Sequence, residues 1–269
     1  MKPNRSLTEL ADRVIPLARE AGRVILSVYE SPFAVEEKAD RSPVTAADRR
    51  ADALLSSGLA GLAPDYPVLS EEGGDVDWPL RRRWETYWLV DPLDGTREFV
   101  ARNDQFTVNV ALIHRHYPVL GVIHAPVGGA TFVGRDGGAV RIDADGERLP
   151  LPPTAAPDGP PRVLVSRSHR DDAVDRWLED VGPHTTIPMG SSLKFCALAA
   201  GDADVYPRFG PTSEWDTAAG QAIVEAAGGS VRQTGGERLR YNAKESLLNP
   251  AFIARSGASL TRQRKTGLQ

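Results

Sequence analysis

The N-terminal part of the chain carries two apolar stripes with helical spacing. Apolar positions over 6–29 follow a helical period, and this period predicts an amphipathic helix. Ser6 followed by Glu9 is typical of a capping box at the start of such a helix. Pro16 lies inside the stripe and predicts a kink or a split. A second helix is predicted over 46–62 by the same spacing.

Short apolar runs follow the two helices and predict strands. The first runs lie at 66–70 and 87–91, and four more lie between 106 and 142. Tight turns separate these four, which predicts an antiparallel sheet. The segment 148–162 contains six prolines and no period, and it predicts a connection between domains. Beyond it, strands and helices alternate, which is typical of an α/β unit.

The pattern as a whole predicts an antiparallel sheet with helices, followed by an α/β unit. We expect an N-terminal half over 1–155, with an antiparallel sheet and helices, and a C-terminal half over 156–256 with an α/β sheet. Residues 257–269 are polar and basic, and they are expected to form a disordered tail.

Composition narrows the classes of function. The 269 residues are enough for a sizeable core, and the net charge of -4 argues against non-specific binding of nucleic acid. The single cysteine, Cys196, cannot form an internal disulfide, so a reducing compartment is expected. No stretch has the length and apolarity of a transmembrane helix or a signal peptide. We therefore expect a cytoplasmic protein with no integral membrane segment and no nucleic-acid partner.

One apolar run, WLVDPLDGTREF, leads directly into two aspartates, Asp91 and Asp94. Isolated buried carboxylates are costly and are normally paired, hydrogen-bonded or bound to metal, so a positive partner is expected beside them. Further acids at predicted strand ends and helix starts are Asp48, Glu71, Glu72 and Asp216. Clusters of carboxylates suit hard cations such as Mg²⁺, whereas the histidines and the cysteine lack the spacing of zinc ligands.

Each acidic stretch also has a plain structural interpretation. Asp48 lies three residues after Thr45, so it fits the acid of a capping box as well as it fits a functional acid. Asp216 fits a first-turn acid that interacts favourably with the helix dipole. The two adjacent glutamates alone indicate a solvated loop, and the segment DPLDG alone indicates a turn.

Taken together, the motifs resemble those of a known family. WLVDPLDGTREF and WDTAAGQAIVEAAGG are similar to its two signature motifs, and LSEE is similar to its metal-binding glutamate strand. The family is the inositol monophosphatase superfamily of lithium-sensitive, Mg²⁺-dependent phosphatases, which includes fructose-1,6-bisphosphatases. Within it, the segments SPVTAAD, VLVSRSH, GSSLKFC and YPRFGPTSEWDTAAG most resemble the bacterial 3′(2′),5′-bisphosphate nucleotidases. The resemblance implies a layered sandwich of the α+β or α/β class. It also implies that the N-terminal half binds metal and the C-terminal half binds substrate, with the metals between them.

The resemblance also implies roles for individual residues near the reaction. Two or three Mg²⁺ ions are expected, with one aspartate as a bridging ligand. The implied metal ligands are Glu71, Asp91 as the bridge, the Leu93 carbonyl, Asp94 and Asp216. Thr96, with Glu72 or Asp48, is expected to orient and deprotonate the attacking water, and the choice between these two acids stays open. The backbone N–H groups of Gly95 and Thr96 are expected to hold phosphate oxygens.

Substrate specificity is implied by positions away from the metals. Phe209 stands where inositol monophosphatases carry an acid that contacts the inositol ring. The positions that match nucleotidase contacts to the adenosine and its second phosphate are His169, Ser191, Lys194 and Arg208. The residues that are expected to contact substrate close to the metals are Glu71, Asp94, Gly95, Thr96 and Asp216. A cation beside the phosphate that is not cleaved would supply charge-assisted hydrogen bonds.

Three of the substrate positions have ordinary alternatives when each is taken alone. Lys194 fits a solvated helix lysine, Arg208 fits a structural ion pair, and His169 fits a turn residue. Only their combination in one chain favours a nucleotide.

The activity that the resemblance implies is removal of the 3′-phosphate of 3′-phosphoadenosine 5′-phosphate, which gives AMP and phosphate. An inositol monophosphatase or fructose-1,6-bisphosphatase of broad specificity is the alternative enzyme. A catalytically silent, metal-binding regulator is an alternative of another class, and the intact set of metal ligands argues against it. The expected partner is a small-molecule nucleotide. The sequence leaves open a monomer or a homodimer, a peripheral association of the basic tail with the inner membrane, and the preference among related nucleotides.

Overall fold

The N-terminal apolar stripe forms one continuous helix in the computed structural model. Helix α1 spans Leu7–Tyr29, and its N-cap, Ser6, accepts a hydrogen bond from the Glu9 N–H at 3.5 Å. The predicted split at Pro16 is wrong, because the helix continues through it. Pro16 has no N–H group to donate to the Asp12 carbonyl oxygen. Both residues are exposed, so water can donate a hydrogen bond to that carbonyl instead.

The structure describes residues 6–38, 43–152, 159–168, 171–257 and 259. Of the predicted tail over 257–269, only Gly257 and Ser259 lie among them, so the prediction of disorder stays untested. No helix in these described ranges is long and apolar enough to cross a membrane.

The second predicted helix is confirmed to its end residues. Helix α2 spans Ala46–Leu62, with Thr45 as its N-cap. Two short strands that the pattern did not predict, β1 (Val35–Glu37) and β2 (Pro43–Thr45), pair antiparallel just before it.

The predicted meander is part of a seven-stranded sheet in which the strands follow one another in chain order. The strands are β3 (Val68–Ser70), β4 (Thr86–Asp94), β5 (Thr107–His114), β6 (Tyr117–His124), β7 (Thr131–Arg135), β8 (Gly138–Ile142) and β9 (Arg148–Leu151). Strands β4 to β9 pair antiparallel, as expected for the four strands between 106 and 142. Strand β3 pairs parallel with β4, because the chain returns through a loop that contains the short helix α3 (Trp78–Arg81).

The proline-rich segment 148–162 is not wholly a connection. Its first residues form β9, which pairs with β8 at the edge of the sheet, because an edge strand needs only one row of backbone hydrogen bonds and therefore tolerates proline. Residues 153–158 lie outside the described part of the chain. The boundary between the two predicted halves, at 155, therefore stays a prediction.

The C-terminal part alternates strands and helices as predicted. Its elements are β10 (Arg162–Ser166), α5 (Asp172–Val181), β11 (Thr185–Met189), α6 (Leu193–Ala200), β12 (Val205–Arg208), α7 (Glu214–Ala226), β13 (Ser230–Gln233) and β14 (Phe252–Arg255). The sheet order is β11-β10-β12-β14-β13. The first three strands are parallel, and β14 is antiparallel to both of its neighbours.

The two faces of the seven-stranded sheet bury two separate cores. On β4, Trp88 and Val90 pack with α1 and α2, whereas Tyr87 and Leu89 pack with α6, α7 and the C-terminal sheet. The layers are therefore helices, sheet, helices, sheet, which confirms the predicted layered sandwich. Because a strand alternates its side chains between faces, β4 anchors in both cores and is held firmly up to its last residue.

Two glycines set how closely α7 approaches the sheet. A Cβ on Gly121 would lie 2.3 Å from the Ala219 carbonyl oxygen, and one on Gly134 would lie 2.4 Å from the Ile223 Cα. Only glycine allows this backbone contact. The contact fixes α7, and with it Asp216 in its first turn.

Strand β6 also carries a buried histidine. His124 Nδ1 lies 3.0 Å from Thr131 Oγ1, and the same hydroxyl accepts a hydrogen bond from Arg19 Nε at 3.0 Å. The hydroxyl hydrogen is thus available to the ring nitrogen, which favours a neutral ring. Burial, and then the charge of Arg19, lower the pKa of His124 to about 4.

The lowered pKa of His124 predicts that the free energy of unfolding decreases as the pH falls. Below its ordinary pKa of about 6.5, the unfolded chain binds a proton that the folded chain does not bind until about pH 4. Between pH 7 and pH 4.5 the free energy of unfolding should fall in both wild type and His124→Gln. The fall should be about 2–3 kcal/mol smaller in His124→Gln, because this variant lacks the buried histidine. Urea unfolding at both pH values measures this, with His184→Gln as the matched control. An equal loss in wild type and His124→Gln would contradict the assignment.

Candidate active site

The end of β4 turns two carboxylates toward one cleft. Pairing with β5 shifts register between Asp91 and Asp94, and the Leu93 N–H donates to Asp91 Oδ1 at 3.1 Å. The next residue, Gly95, has φ +93°, and a Cβ there would lie 2.9 Å from the Gln105 carbonyl oxygen. Glycine is therefore needed for the bend that leads into the short helix α4 (Thr96–Val100).

Three acids from separate elements converge beside this bend. Ligand oxygens of Glu71, Asp91 and Asp216 all lie within 4.8 Å of one another. They follow β3, lie on β4 and belong to the first turn of α7, respectively. Burial, and then repulsion by the neighbouring carboxylates, raise the pKa values of Asp91 and Asp216 well above the ordinary value. Such a cluster needs a cation to carry its charge at neutral pH.

Asp94 faces the same cleft, but one of its oxygens is engaged by protein donors. Its Oδ2 accepts from Ser192 Oγ at 2.6 Å and from Asn109 Nδ2 at 3.3 Å. It lies outside the group of three acids that the distances define. Its assignment as a metal ligand stays a prediction.

A lysine that the sequence did not single out contacts two of the acids. Lys38 Nζ lies 2.9 Å from Glu71 Oε1 and also donates to Glu72. Burial opposes its charge, but Glu71 and Glu72 raise the pKa of Lys38 above its ordinary value. The segment VEEKAD looks like a solvated run of charges, so no local signal could have revealed this contact.

Asp48 forms the capping box of α2 and also contacts Thr96. Its Oδ2 accepts from the Thr45 N–H at 2.7 Å, as in a capping box. Its Oδ1 accepts from Thr96 Oγ1 at 3.1 Å. One buried carboxylate therefore starts α2 and also holds the hydroxyl beside the acidic cluster. Thr96 Oγ1 lies 3.3 Å from the Leu93 carbonyl oxygen as well.

The C-terminal half closes the other side of a cleft of about 360 Å³. Its lining includes Lys194, which is only 6% exposed. The Lys194 ammonium donates to the carbonyl oxygens of Ser191 at 2.7 Å and Met189 at 3.2 Å. Burial lowers the pKa of Lys194 to about 8. The lysine is thus held inside the cleft, and the alternative of a solvated helix lysine is wrong.

The remaining substrate positions are placed as follows. Arg208 also lines the cleft, where its Nε donates to Thr212 Oγ1 at 2.5 Å and its guanidinium to the Pro211 carbonyl oxygen at 2.7 Å. Ser191 lines it with a left-handed backbone, φ +47°. Phe209 contacts the ring of Trp177 on α5 at 6.3 Å between centroids. His169 lies outside the described residues.

The sequence model of the Inositol monophosphatase family matches residues 6–265. The chain belongs to this family. It is 49% identical over 245 residues to the 3′(2′),5′-bisphosphate nucleotidase CysQ of Shigella flexneri, covering 90% of this chain and 98% of that protein. It is 39% identical to the CysQ nucleotidase of Buchnera aphidicola over 255 residues, 93% of this chain and 95% of the relative.

Solved structures of the inositol monophosphatase family share this fold. The CysQ structure from Bacteroides thetaiotaomicron superposes with a TM-score of 0.83 at 43% identity, covering 93% of this chain and 97% of that one. The Thermotoga maritima IMPase gives a TM-score of 0.77 at 26% identity, covering 96% of each chain. The family resemblance and the fold class that the motifs implied are thereby confirmed.

Inositol monophosphatase family members are Mg²⁺-dependent, and the site fits such an ion. The donors at the cluster are carboxylate oxygens, and Leu93 lines the same cleft. Hard cations prefer oxygen ligands. Burial, and then the neighbouring carboxylates, raise the pKa values of Asp91 and Asp216, so the protein alone disfavours the ionised cluster, which a bound cation would stabilise. The acidic cluster can therefore hold metal.

Proposed function

We propose that this chain is a Mg²⁺-dependent 3′(2′),5′-bisphosphate nucleotidase that removes the 3′-phosphate of 3′-phosphoadenosine 5′-phosphate to give AMP and phosphate. The observation that carries the proposal is one cleft that contains both the acidic cluster and the buried Lys194. The acidic cluster can hold the cation that binds the reacting phosphate, and Lys194 can donate hydrogen bonds to a second phosphate. The identity of 49% to a curated nucleotidase over most of the chain supports it.

The proposed metal site uses oxygen atoms of the acidic cluster and the β4 bend. The residues that would hold two Mg²⁺ ions, or three, are Glu71, Asp91, the Leu93 carbonyl, Asp94 through Oδ1, and Asp216. When bound, Mg²⁺ supplies Lewis-acid stabilisation of the phosphoryl oxygens and lowers the pKa of a bound water. The protein contributes a fixed arrangement of ligands from three elements.

Water activation is assigned to the hydroxyl and carboxylate of Thr96 and Asp48. Thr96 Oγ1 donates its hydrogen to Asp48 Oδ1. The lone pairs of the hydroxyl oxygen can therefore accept a hydrogen bond from the attacking water, and the proton of the hydroxyl can pass to Asp48. Glu72 instead bonds Lys38. These contacts favour Asp48 over Glu72 as the base, and the N–H groups of Gly95 and Thr96 are proposed to hold phosphate oxygens.

The substitution of either acid tests this choice. We expect Asp48→Asn to lower kcat by about 10²-fold or more, since general-base catalysis is typically worth 10²–10⁴-fold. Glu72→Gln should lower kcat by less than about tenfold, because it removes only a partner of Lys38. Steady-state kinetics of both variants, with thermal unfolding as the check on folding, measures the ranking. The reverse ranking would assign the base to Glu72.

Binding of the second phosphate is assigned to Lys194, Arg208 and Ser191. A buried ammonium whose partners are carbonyl oxygens is suited to an anionic ligand, because charge-assisted hydrogen bonds to phosphate are stronger than those to carbonyl groups. Phe209, which packs on Trp177, offers no acceptor to an inositol ring. The roles of His169, the monomer or homodimer, and a membrane contact of the tail stay predictions.

Product identification tests the proposed reaction. Purified protein is incubated with 3′-phosphoadenosine 5′-phosphate and Mg²⁺, and the products are separated by chromatography. AMP and phosphate are expected, and chelation of Mg²⁺ should abolish their formation. Adenosine 3′-phosphate as the product, or turnover that survives chelation, would contradict the proposal.

A further inference from the structure

Three side chains behind the cleft form a closed hydrogen-bonded triangle. Ser192 Oγ lies 2.6 Å from Asp94 Oδ2, Asn109 Nδ2 lies 2.9 Å from Ser192 Oγ, and Asn109 Nδ2 lies 3.3 Å from Asp94 Oδ2. Asn109 and Ser192 are each 1% exposed. Both donors are therefore shielded from bulk water.

The hydrogens of the triangle can be assigned from donor chemistry. Ser192 has one hydroxyl hydrogen and two acceptors within reach, Asp94 Oδ2 at 2.6 Å and the Asp216 carbonyl oxygen at 2.8 Å. The carboxylate is the nearer and the charged acceptor, so it receives the hydrogen. The Asn109 amide donates to Ser192 Oγ and to the carboxylate. Its own Oδ1 has no partner among the described residues, so all of its hydrogen bonding is directed into the triangle.

The geometry leads us to propose that Ser192 and Asn109 are positioning residues for the metal site. They hold the Asp94 carboxylate through Oδ2 and leave Oδ1 as the one oxygen offered to the cation. This inference rests on the proposed role of Asp94 as a ligand. Partners that orient a metal-binding side chain typically change metal affinity by about 10–100-fold when they are removed.

The triangle also ties the two halves of the site together. Asp94 ends β4, Asn109 lies on β5 opposite Asp91, and Ser192 is the N-cap of α6. The Ser192 hydroxyl thus lies between β4 and the first turn of α7, which carries Asp216. Ser192 therefore sets the distance between ligands that belong to different elements.

A purely structural role of Ser192 and Asn109 would affect the stability of the fold and leave the affinity for Mg²⁺ unchanged. Burial raises the pKa of Asp94, and the hydrogen bonds from Ser192 and Asn109 oppose this rise. If the donors served only to stabilise a buried carboxylate, their loss would lower the melting temperature and leave the affinity for Mg²⁺ unchanged. Metal affinity measured without substrate therefore separates the two roles.

The experiment is titration calorimetry of Mg²⁺ into metal-free protein, with no nucleotide present. Ser192→Ala should raise the Kd for Mg²⁺ by about 10–100-fold, and Ser192→Thr, which keeps the hydroxyl, should restore affinity to within a few fold. Asn109→Ala should weaken binding in the same direction. Ser256→Ala, an equally buried serine outside the cleft, is the matched control and should match wild type.

The outcomes separate this inference from the proposed function. An unchanged Kd in Ser192→Ala and Asn109→Ala would overturn the positioning role while leaving the nucleotidase proposal intact. Wild-type protein that binds no Mg²⁺ would overturn the metal site and this inference together. Should Ser192→Ala fail to fold, Asn109→Ala decides by the same criterion, with thermal unfolding of each variant as the check.

Discussion

Asp94→Asn is expected to lower kcat/KM for 3′-phosphoadenosine 5′-phosphate by about 10³-fold or more. The substitution keeps the volume of the side chain but removes a charge from the proposed two-cation site. Metal stabilisation of a phosphoryl transition state is worth several kcal/mol, and about 1.4 kcal/mol corresponds to tenfold in rate. Raising Mg²⁺ should recover only part of the loss, because the geometry as well as the affinity is altered.

The fold of Asp94→Asn should survive. Burial disfavours the charge of Asp94, so a neutral amide removes an unfavourable term, and its oxygen can still accept from Ser192 and Asn109. Thermal unfolding and steady-state kinetics together measure the effect, with Asp65→Asn, an exposed aspartate in a turn, as the control. A folded Asp94→Asn protein with near-wild-type turnover would contradict the metal assignment.

Lys194→Ala and Arg208→Ala are each expected to lower kcat/KM for the nucleotide by about tenfold to a hundredfold. The reason is the loss of a charge-assisted hydrogen bond to the phosphate that is not cleaved, typically about 1.5–3 kcal/mol. Contacts remote from the reacting bond can act on KM or, by orienting the substrate, on kcat. In each single variant the other cation, Arg208 or Lys194, keeps part of the positive charge of the cleft.

A second substrate distinguishes a binding role from a folding defect. Inositol monophosphate has neither the nucleoside nor the second phosphate, so its own slow hydrolysis should be nearly unchanged in both variants. Arg232→Ala, an exposed arginine on β13, should behave as wild type on both substrates. Equal losses on the two substrates, or no loss on either, would show that Lys194 and Arg208 are structural and would favour inositol phosphates as substrates.

Local signals were enough to predict the elements that carry the acids. Helix α2 was predicted to its end residues because Thr45, Asp48 and the apolar stripe all lie within one segment. The turn after Asp94 was predictable because the segment DPLDG consists mostly of aspartate, proline and glycine, which are common turn residues. The prediction that Pro16 splits α1 was wrong, because a proline on the exposed face of a long packed helix can be accommodated without a break.

Tertiary contacts were beyond the sequence. Lys38 is 33 residues from Glu71 along the chain, and Ser192 is 98 residues from Asp94. Nothing in either segment indicates its partner, because a lysine in a charged run and a serine before a helix are ordinary. The sequence also could not decide between a cap and a functional acid at Asp48, because the contact of the capping carboxylate with Thr96 joins residues 48 positions apart in the chain.

Comparison of kcat/KM for wild-type protein on three substrates with Mg²⁺ tests the central claim most directly. The substrates are 3′-phosphoadenosine 5′-phosphate, inositol monophosphate and fructose-1,6-bisphosphate, and released phosphate is measured for each. A cleft with cations for a second phosphate predicts that the nucleotide is preferred over inositol monophosphate by about tenfold to a hundredfold. Fructose-1,6-bisphosphate also carries a second phosphate, so the preference over it is expected to come from contacts with the nucleoside. An equal or higher kcat/KM for inositol monophosphate or fructose-1,6-bisphosphate would contradict the assignment of this chain as a bisphosphate nucleotidase.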